Sequence, residues 1–236
     1  MTLAVAAPLL CVFALVMAAV EIEIEGPHGW AEKLPTPYRV SGPLARAFGA
    51  VLGGKPLTGY NLLMFTATLV AFHLPFAFGT AWTLVAELIV LAAWIAWSAL
   101  WDLLWFLLNP AYGWRRFRPG SVWWHSRWRW RLPLDYSVAA AVSLILAFVA
   151  QALAWGGAGD GPGSWGPLAS QAVLLACFVA WAVVVGLLAP LYGRLYRHTH
   201  AAAFDERHRV AITPPPQEEA ASAAPADDGD DGLPWR

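Results

Sequence analysis

Apolar residues come in long, nearly uncharged blocks along this chain. Residues 2–20 carry no charge and are rich in Ala, Val and Leu; residues 61–78 and 81–108 form two further blocks, separated by Gly79-Thr80; residues 136–155 and 167–189 form two more. Each reaches the roughly 18–20 residues that a helix needs to cross a bilayer core. The block at 81–108, taken as one helix at about 1.5 Å per residue, would be roughly 42 Å long and is expected to tilt or protrude. The pattern therefore predicts an all-α fold, a polytopic membrane bundle of about five transmembrane helices.

The breaks between blocks have turn chemistry. Asn109-Pro110 is expected to end the third helix, Pro133 to precede the fourth, and Pro190 to end or kink the fifth. Residues 156–166, GGAGDGPGSWG, read as a flexible loop. Past residue 211 the chain runs through Pro214-Pro215-Pro216 into Ala, Glu and Asp and lacks the apolar content to fold. The expected organisation is a membrane-embedded helical domain over 1–210 and a disordered acidic, Pro/Ala-rich tail over 211–236. No internal repeat is evident.

Composition sharpens the class. Of 236 residues, 58% are hydrophobic and only 13% charged, against roughly half apolar and about a quarter charged in soluble domains. The net charge of −1 is uninformative, but its distribution is not. With five spans, all 15 Lys and Arg residues fall on one side, and the other side, with the Gly79-Thr80 turn and the 156–166 loop, has none. Basic loops mark the cytoplasmic face, so the N-terminus is expected outside and the C-terminus in the cytoplasm of a multi-pass protein of the cell membrane. Four or six spans would break this asymmetry. The first block lacks the basic n-region of a signal peptide and reads as a retained span. Cys11 and Cys177 lie in the middle of apolar blocks and read as small core residues rather than a disulfide framework.

The segment 114–131, WRRFRPGSVWWHSRWRWR, interleaves six Arg with five Trp. Trp favours the headgroup layer and Arg seeks phosphate. The segment reads either as an interfacial anchor on anionic lipids or as a headgroup-binding wall made by Arg127, Arg129, Arg131, Trp128 and Trp130. Nucleic-acid binders use the same residue types, but a membrane accounts for both, so no nucleic-acid partner is expected. Residues 41–55 hold a short amphipathic stretch with Leu44, Phe48, Val51 and Leu52 on one face, expected to lie on the membrane surface. Gly49 and Gly54-Lys55 have the spacing of a phosphate loop, but Pro56 stands at the metal-binding Ser/Thr position and no strand precedes it.

Carboxylates inside membrane helices are functional-site candidates by default. Counted outward from Gly79-Thr80, His73 and Glu87 lie at nearly equal depth on adjacent antiparallel helices, which predicts an intramembrane polar pair, either a structural clasp or a functional couple. Glu21 and Glu25 share a face if the first helix continues through the acidic run. By topology they come near Asp102, His28, His125 and Asp135. Asp135 opens the fourth helix, where a carboxylate serves as a cap. Glu21, Glu25, Asp102 and His125 form a candidate metal set, for which mixed imidazole and carboxylate ligands suit Zn, Fe or Mn, although no spacing matches a known metal motif. His198 and His200 point apart on a helix and read as exposed juxtamembrane residues, as does His208.

Two functional readings follow. One is a small membrane enzyme acting on a lipid or amphipathic substrate at a His/carboxylate site on the cytoplasmic membrane face. The other is a non-enzymatic subunit or assembly factor of a membrane complex or transporter, with a membrane-protein partner. The topology is checkable directly: reporter fusions after Gly159 are expected to read outside, and fusions after Lys33, Gly120 and Val210 inside. An outside signal after Gly120 would contradict five spans.

Overall fold

The computed structural model describes residues 3–125, 127–156 and 166–212. In chain order the helices are α1 (Leu3–Glu25), α2 (Pro43–Val51), α3 (Gly59–Ala77), α4 (Leu84–Leu108), α5 (Gly113–Arg116), α6 (Leu134–Gly156) and α7 (Gly166–Ile212). Two short antiparallel pairings join the loops, β1 (Tyr38–Arg39) with β2 (Leu57–Thr58) and β3 (Trp128–Arg129) with β4 (Leu132–Pro133). Five helices, α1, α3, α4, α6 and α7, are long and apolar enough to cross a membrane. The fold is mostly helical and compatible with a multi-pass membrane protein. The chain divides into two compact units, Met1–Gly193 and Arg194–Arg236, and everything below concerns the first. Of the tail expected over 211–236, Ala211 and Ile212 continue α7, and the rest lies outside the described residues.

Local chemistry sets the helix ends. The Thr58 hydroxyl accepts from Asn61 N–H at 3.0 Å and caps α3; Thr83 accepts from Ala86 N–H at 3.1 Å and caps α4. That cap starts α4 three residues later than the apolar block suggests. Its 25 residues span about 37 Å. Helix α1 runs through the acidic stretch to Glu25 and stops at Gly26, whose φ of 61° suits glycine.

Helix α4 is the hub, packing along α1 and α6 and against α3. The pairings Leu10–Trp97 and Gly26–Asn109 make α1 parallel to α4. The pairings Thr68–Trp94 and His73–Glu87 make α3 antiparallel. Along α1 the buried residues are small: Ala7, Cys11, Ala14 and Ala18 are at most 5% exposed. Small residues let helices approach closely, and the wholly buried Trp97 fills the seam, stacking on Phe13 at 4.7 Å and donating to the Leu10 carbonyl at 2.8 Å. Helix α6 turns Ser143, Ala147, Ala150 and Gln151 inward. Gln171 Nε2 donates to the Ala92 carbonyl at 3.3 Å and ties α7 to α4.

The outward faces are the reverse. Leu9, Val12, Val16 and Val20 on α1, Ile145 and Phe148 on α6, and Val179 and Leu187 on α7 are all exposed. Contiguous exposed apolar stripes over buried polar groups suit a lipid surround.

Pro190 does not end α7, which continues through it. A proline removes one backbone donor, and helices in a bilayer accommodate this where neighbours pack on the freed backbone. One turn earlier, Gly186 leaves a gap for an indole: a Cβ there would stand 2.4 Å from Trp114 Nε1.

At the end of the bundle where α1 and α4 finish and α3 and α6 begin, the 26–58 segment is fastened down. Asn109 Nδ2 donates to the Gly26 carbonyl at 2.7 Å, and the Tyr112 hydroxyl to the Pro27 carbonyl at 2.8 Å. Trp30 Nε1 donates to the Pro56 carbonyl and the Tyr38 hydroxyl to the Trp30 carbonyl, both at 2.9 Å. This brings Lys55 over the helix ends.

Candidate functional site

Four chain segments meet at that end. Asp102 sits on the last two turns of α4, Asp135 and Tyr136 on the first turn of α6, His125 in the loop between them, and Lys55 in the loop before β2. His125 is buried, its side chain 1% exposed. Its Nε2 lies 3.2 Å from Asp102 Oδ2 and its Nδ1 3.4 Å from Asp135 Oδ2. Lys55, also buried, places Nζ 2.8 Å from the same Asp135 oxygen. The Tyr136 hydroxyl donates to Asp102 Oδ2. Aromatic rings enclose the imidazole, with the Tyr136, Trp128 and Trp124 centroids 5.7, 6.0 and 6.3 Å away. Trp128 Nε1 also holds the His125 carbonyl at 2.7 Å.

Both imidazole nitrogens face carboxylate oxygens, so the arrangement favours the doubly protonated ring. Burial works against that charge, and Lys55 opposes it too. The Asp102 and Asp135 carboxylates outweigh both and raise the His125 pKa above its ordinary 6.5.

Glu21 and Glu25 stand one turn apart on α1, as the continued helix requires, and line a narrow crevice together with Asp102. Glu25 is buried, and its Oε1 accepts from Ala31 N–H at 2.6 Å. That contact depends on an unusual backbone: Trp30 and Ala31 both have positive φ, 58° and 57°. Two L-residues in that region carry strain on the order of 1–3 kcal/mol each, a cost that concentrates at functional sites. Gly29 is equally constrained, since a Cβ there would stand 2.5 Å from the Trp124 ring and 2.8 Å from that of Trp105.

A second, roomier crevice opens beside His125. His125, Asp135 and Arg127 are its polar lining, and Val51, Leu52, Val138 and Val142 its apolar walls. Trp124 borders both crevices.

The expected metal set does not form. Glu21, Glu25, Asp102 and His125 do reach the same end of the bundle, but among the described residues no group of three or more His, Cys, Asp and Glu side chains is arranged to hold a metal ion. His125 turns both nitrogens towards aspartate oxygens at ion-pair distance, though neither makes a hydrogen bond, and Lys55 supplies positive charge. His28 is elsewhere, in an exposed pair with Glu32 at 3.5 Å. Asp135 is no simple cap, because its carboxylate turns to Lys55 and His125.

Sequence reasoning missed Lys55 as a member of this cluster, weighing it only as a basic loop charge and in a rejected phosphate-loop pattern. Its signal was the isolated Gly53-Gly54-Lys55-Pro56 turn, in which both glycines take positive φ. Tyr136, Trp101 and Trp105 carried no signal beyond their apolar surroundings.

The headgroup residues divide. Arg127, Arg129, Trp130 and Arg131 are exposed, whereas Trp128 is half-buried against His125. Trp130 and Arg131 form the tip of the β3–β4 hairpin with φ of 49° and 69°, the positive values of a type I′ turn that normally takes Asn-Gly. Trp130 is 85% exposed there, with Arg129 lying 4.5 Å over its ring. Trp124 leaves the interfacial belt altogether and is 4% exposed, wedged against Trp105. Side chains from 197 onward, including His198, His200 and His208, lie outside the described residues.

At the opposite end of the bundle His73 Nε2 and Glu87 Oε1 are 3.0 Å apart. His73 Nδ1 donates to the Leu69 carbonyl at 2.7 Å, and Trp82 Nε1 donates to Glu87 Oε2 at 3.0 Å. The carbonyl can only accept, so Nδ1 carries a proton. The contact with Glu87 then needs a further proton, on the imidazole or the carboxyl.

No family model, curated protein or solved structure matches the chain.

Two outcomes follow from this geometry. Replacing His73 and Glu87 singly with apolar residues leaves the partner unpaired, so the double variant should lose less stability than the two singles together, by about 0.5–2 kcal/mol. Strict additivity in a thermal-unfolding cycle would contradict the contact. His125, with its pKa raised on folding, adds stability that is complete below about pH 6.5 and lost as pH rises through the raised folded value. His125→Gln should remove that part of the pH dependence, measured as Tm in detergent across pH 6–9 (roughly half a unit below to two and a half above the reference imidazole pKa).

Proposed function

We propose that this chain is a small multi-pass membrane enzyme with an acid–base centre, Asp102–His125–Asp135 with Tyr136 and Lys55, that works on the polar head of an amphipathic substrate at the cytoplasmic face of the cell membrane. The observation that carries this reading is the placement of His125, buried between two carboxylates yet lining a crevice with an Arg at its rim and valines along its wall. A structural clasp needs the ion pairs but not the crevice.

The geometry supports a division of labour. Val138 and Val142 are 40% and 36% exposed and continue the outer apolar face of α6 into the crevice, where an acyl or prenyl chain would lie. Arg127 stands where an anionic head would dock, and the exposed Arg129, Trp130 and Arg131 would hold the loop in the headgroup layer. The imidazolium, on turning one N–H away from its aspartate, is then the proton donor to an oxygen of that head. Asp102 and Asp135 hold the ring between them and stabilise its charge, as a carboxylate does for a catalytic histidine. Lys55 and Tyr136 keep those two carboxylates in place.

Orientation rests on charge. The five-helix arrangement puts the loops 26–58 and 109–133 at one end, with all the Lys and Arg that precede α7, and basic loops stay in the cytoplasm.

The test is turnover. Purified chain in liposomes made from a total bacterial lipid extract, followed by untargeted mass spectrometry, should convert at least one lipid species. His125→Gln and Asp102→Asn should lower that rate by roughly a hundredfold or more while the helical signal and monodispersity persist. Loss of stability in these variants, with no turnover by the parent chain, would leave the structural clasp.

A further inference from the structure

The crevice next to this cluster has an excess of carboxyl groups and an aromatic wall. Three carboxyl groups, Glu21, Glu25 and Asp102, line it, and no basic side chain does among the described residues. Lys55 is committed to Asp135 at 2.8 Å and to the Trp30 ring at 4.5 Å. Neither Glu21 nor Glu25 has an ion-pair partner among the described residues. Around them stand Trp30, Trp101, Trp105, Trp124 and Phe65. Carboxylates beside stacked indoles are the chemistry that holds organic cations, because the ring faces attract the ammonium and the carboxylates neutralise it. A hydrated metal ion gains little from indole faces.

A second observation points to a ligand. Trp101 and Trp105 line this crevice, each is 4% exposed, and each has a buried ring N–H without a hydrogen-bond partner. Buried donors are normally paired, and an unpaired one calls for an acceptor. Trp101 already stands within hydrogen-bonding reach of Glu21, which leaves the N–H of Trp105, ringed by Phe106, Tyr112 and Trp124, as the unpaired donor. The strained Trp30–Ala31 backbone and the Cβ-free Gly29 hold the wall in place.

We propose that the crevice between α1, α3 and α4 binds an organic ammonium group carrying an adjacent oxygen acceptor, the chemistry of an ethanolamine or choline head. The ammonium sits against Glu21 and Glu25 among the indoles, and its oxygen accepts from Trp105 Nε1. The site shares Asp102 with the proposed acid–base centre but does not depend on turnover there. The bound group comes either from a lipid headgroup or from a free amine in the cytoplasm.

The experiment is a binding titration of the full chain purified in maltoside with EDTA, read by tryptophan fluorescence. Ethanolamine and choline should quench or shift the emission saturably. Their neutral isosteres, ethylene glycol and 3,3-dimethylbutanol, and matched NaCl should not. Glu21→Gln should weaken binding by about tenfold or more, and Trp105→Phe, which keeps the ring and removes the N–H, should weaken the oxygen-bearing amines while sparing tetramethylammonium. Adding lyso-phosphatidylethanolamine or lyso-phosphatidylglycerol micelles separates the sources: preference for the former over free ethanolamine assigns a lipid head, and the reverse assigns a soluble amine. His125→Gln should leave binding intact, so loss of turnover and loss of this site are distinguishable. Equal response to the neutral isosteres, no saturable response, or binding unchanged in Glu21→Gln would each overturn the assignment. So would a fluorescence change that appears only when Zn, Fe or Mn replaces EDTA.

Discussion

Charge buried among apolar helices is the constraint on which the rest of this structure depends. Removing a carboxylate or an ammonium from water costs several kcal/mol after relaxation unless a partner and hydrogen bonds offset it. Asp102, on α4, would bear that cost alone. It is met instead by His125 from one loop and Tyr136 from α6, while Asp135 on α6 is met by His125 and by Lys55 from another loop. No two of these side chains are useful unless their segments arrive together. The cluster therefore fixes where the ends of α4 and α6 lie relative to each other and how the 26–58 segment folds back. Removing one member would leave the others uncompensated, the costly way to break a buried pair.

The packing serves the same end. Small residues on α1 bring it against Trp97, which sets the height of Glu21 and Glu25 relative to Asp102. Trp105 and Trp124 fill the space that Gly29 leaves open. The result is a relay, Asp102–His125–Asp135, with a carboxylate- and indole-lined crevice on one side and an Arg-rimmed, valine-walled crevice on the other. Its opposite-end counterpart, His73–Glu87, is simpler and lies at one turn between two helices.

Much of the helix pattern was legible because hydrophobic block length is a direct consequence of bilayer thickness. The proximity of His73 and Glu87 was legible too, because a tight turn fixes depth by counting. Helix ends were less so. Thr83, by capping α4, moved its start three residues past the edge of the apolar block, and Pro190 does not end α7, which continues through it. The acidic side of the site was visible as Glu21, Glu25 and Asp102, since carboxylates stand out in apolar blocks. Lys55 was not, because a lysine in a basic loop looks like every other loop charge until the chain folds back. Trp124 looked like one more interfacial tryptophan; only Gly29, 95 positions earlier by its number in the chain, makes room for it inside.

The account stands most directly on the charge state of His125. Side-chain nitrogen chemical shifts of histidine-labelled chain, assigned by comparison with His125→Gln, report it without a substrate. A titration midpoint above the reference value of about 6.5 for the side chain, with both ring nitrogens protonated below that midpoint, is the predicted result. A midpoint at or below the reference value would contradict the pairing of His125 with Asp102 and Asp135.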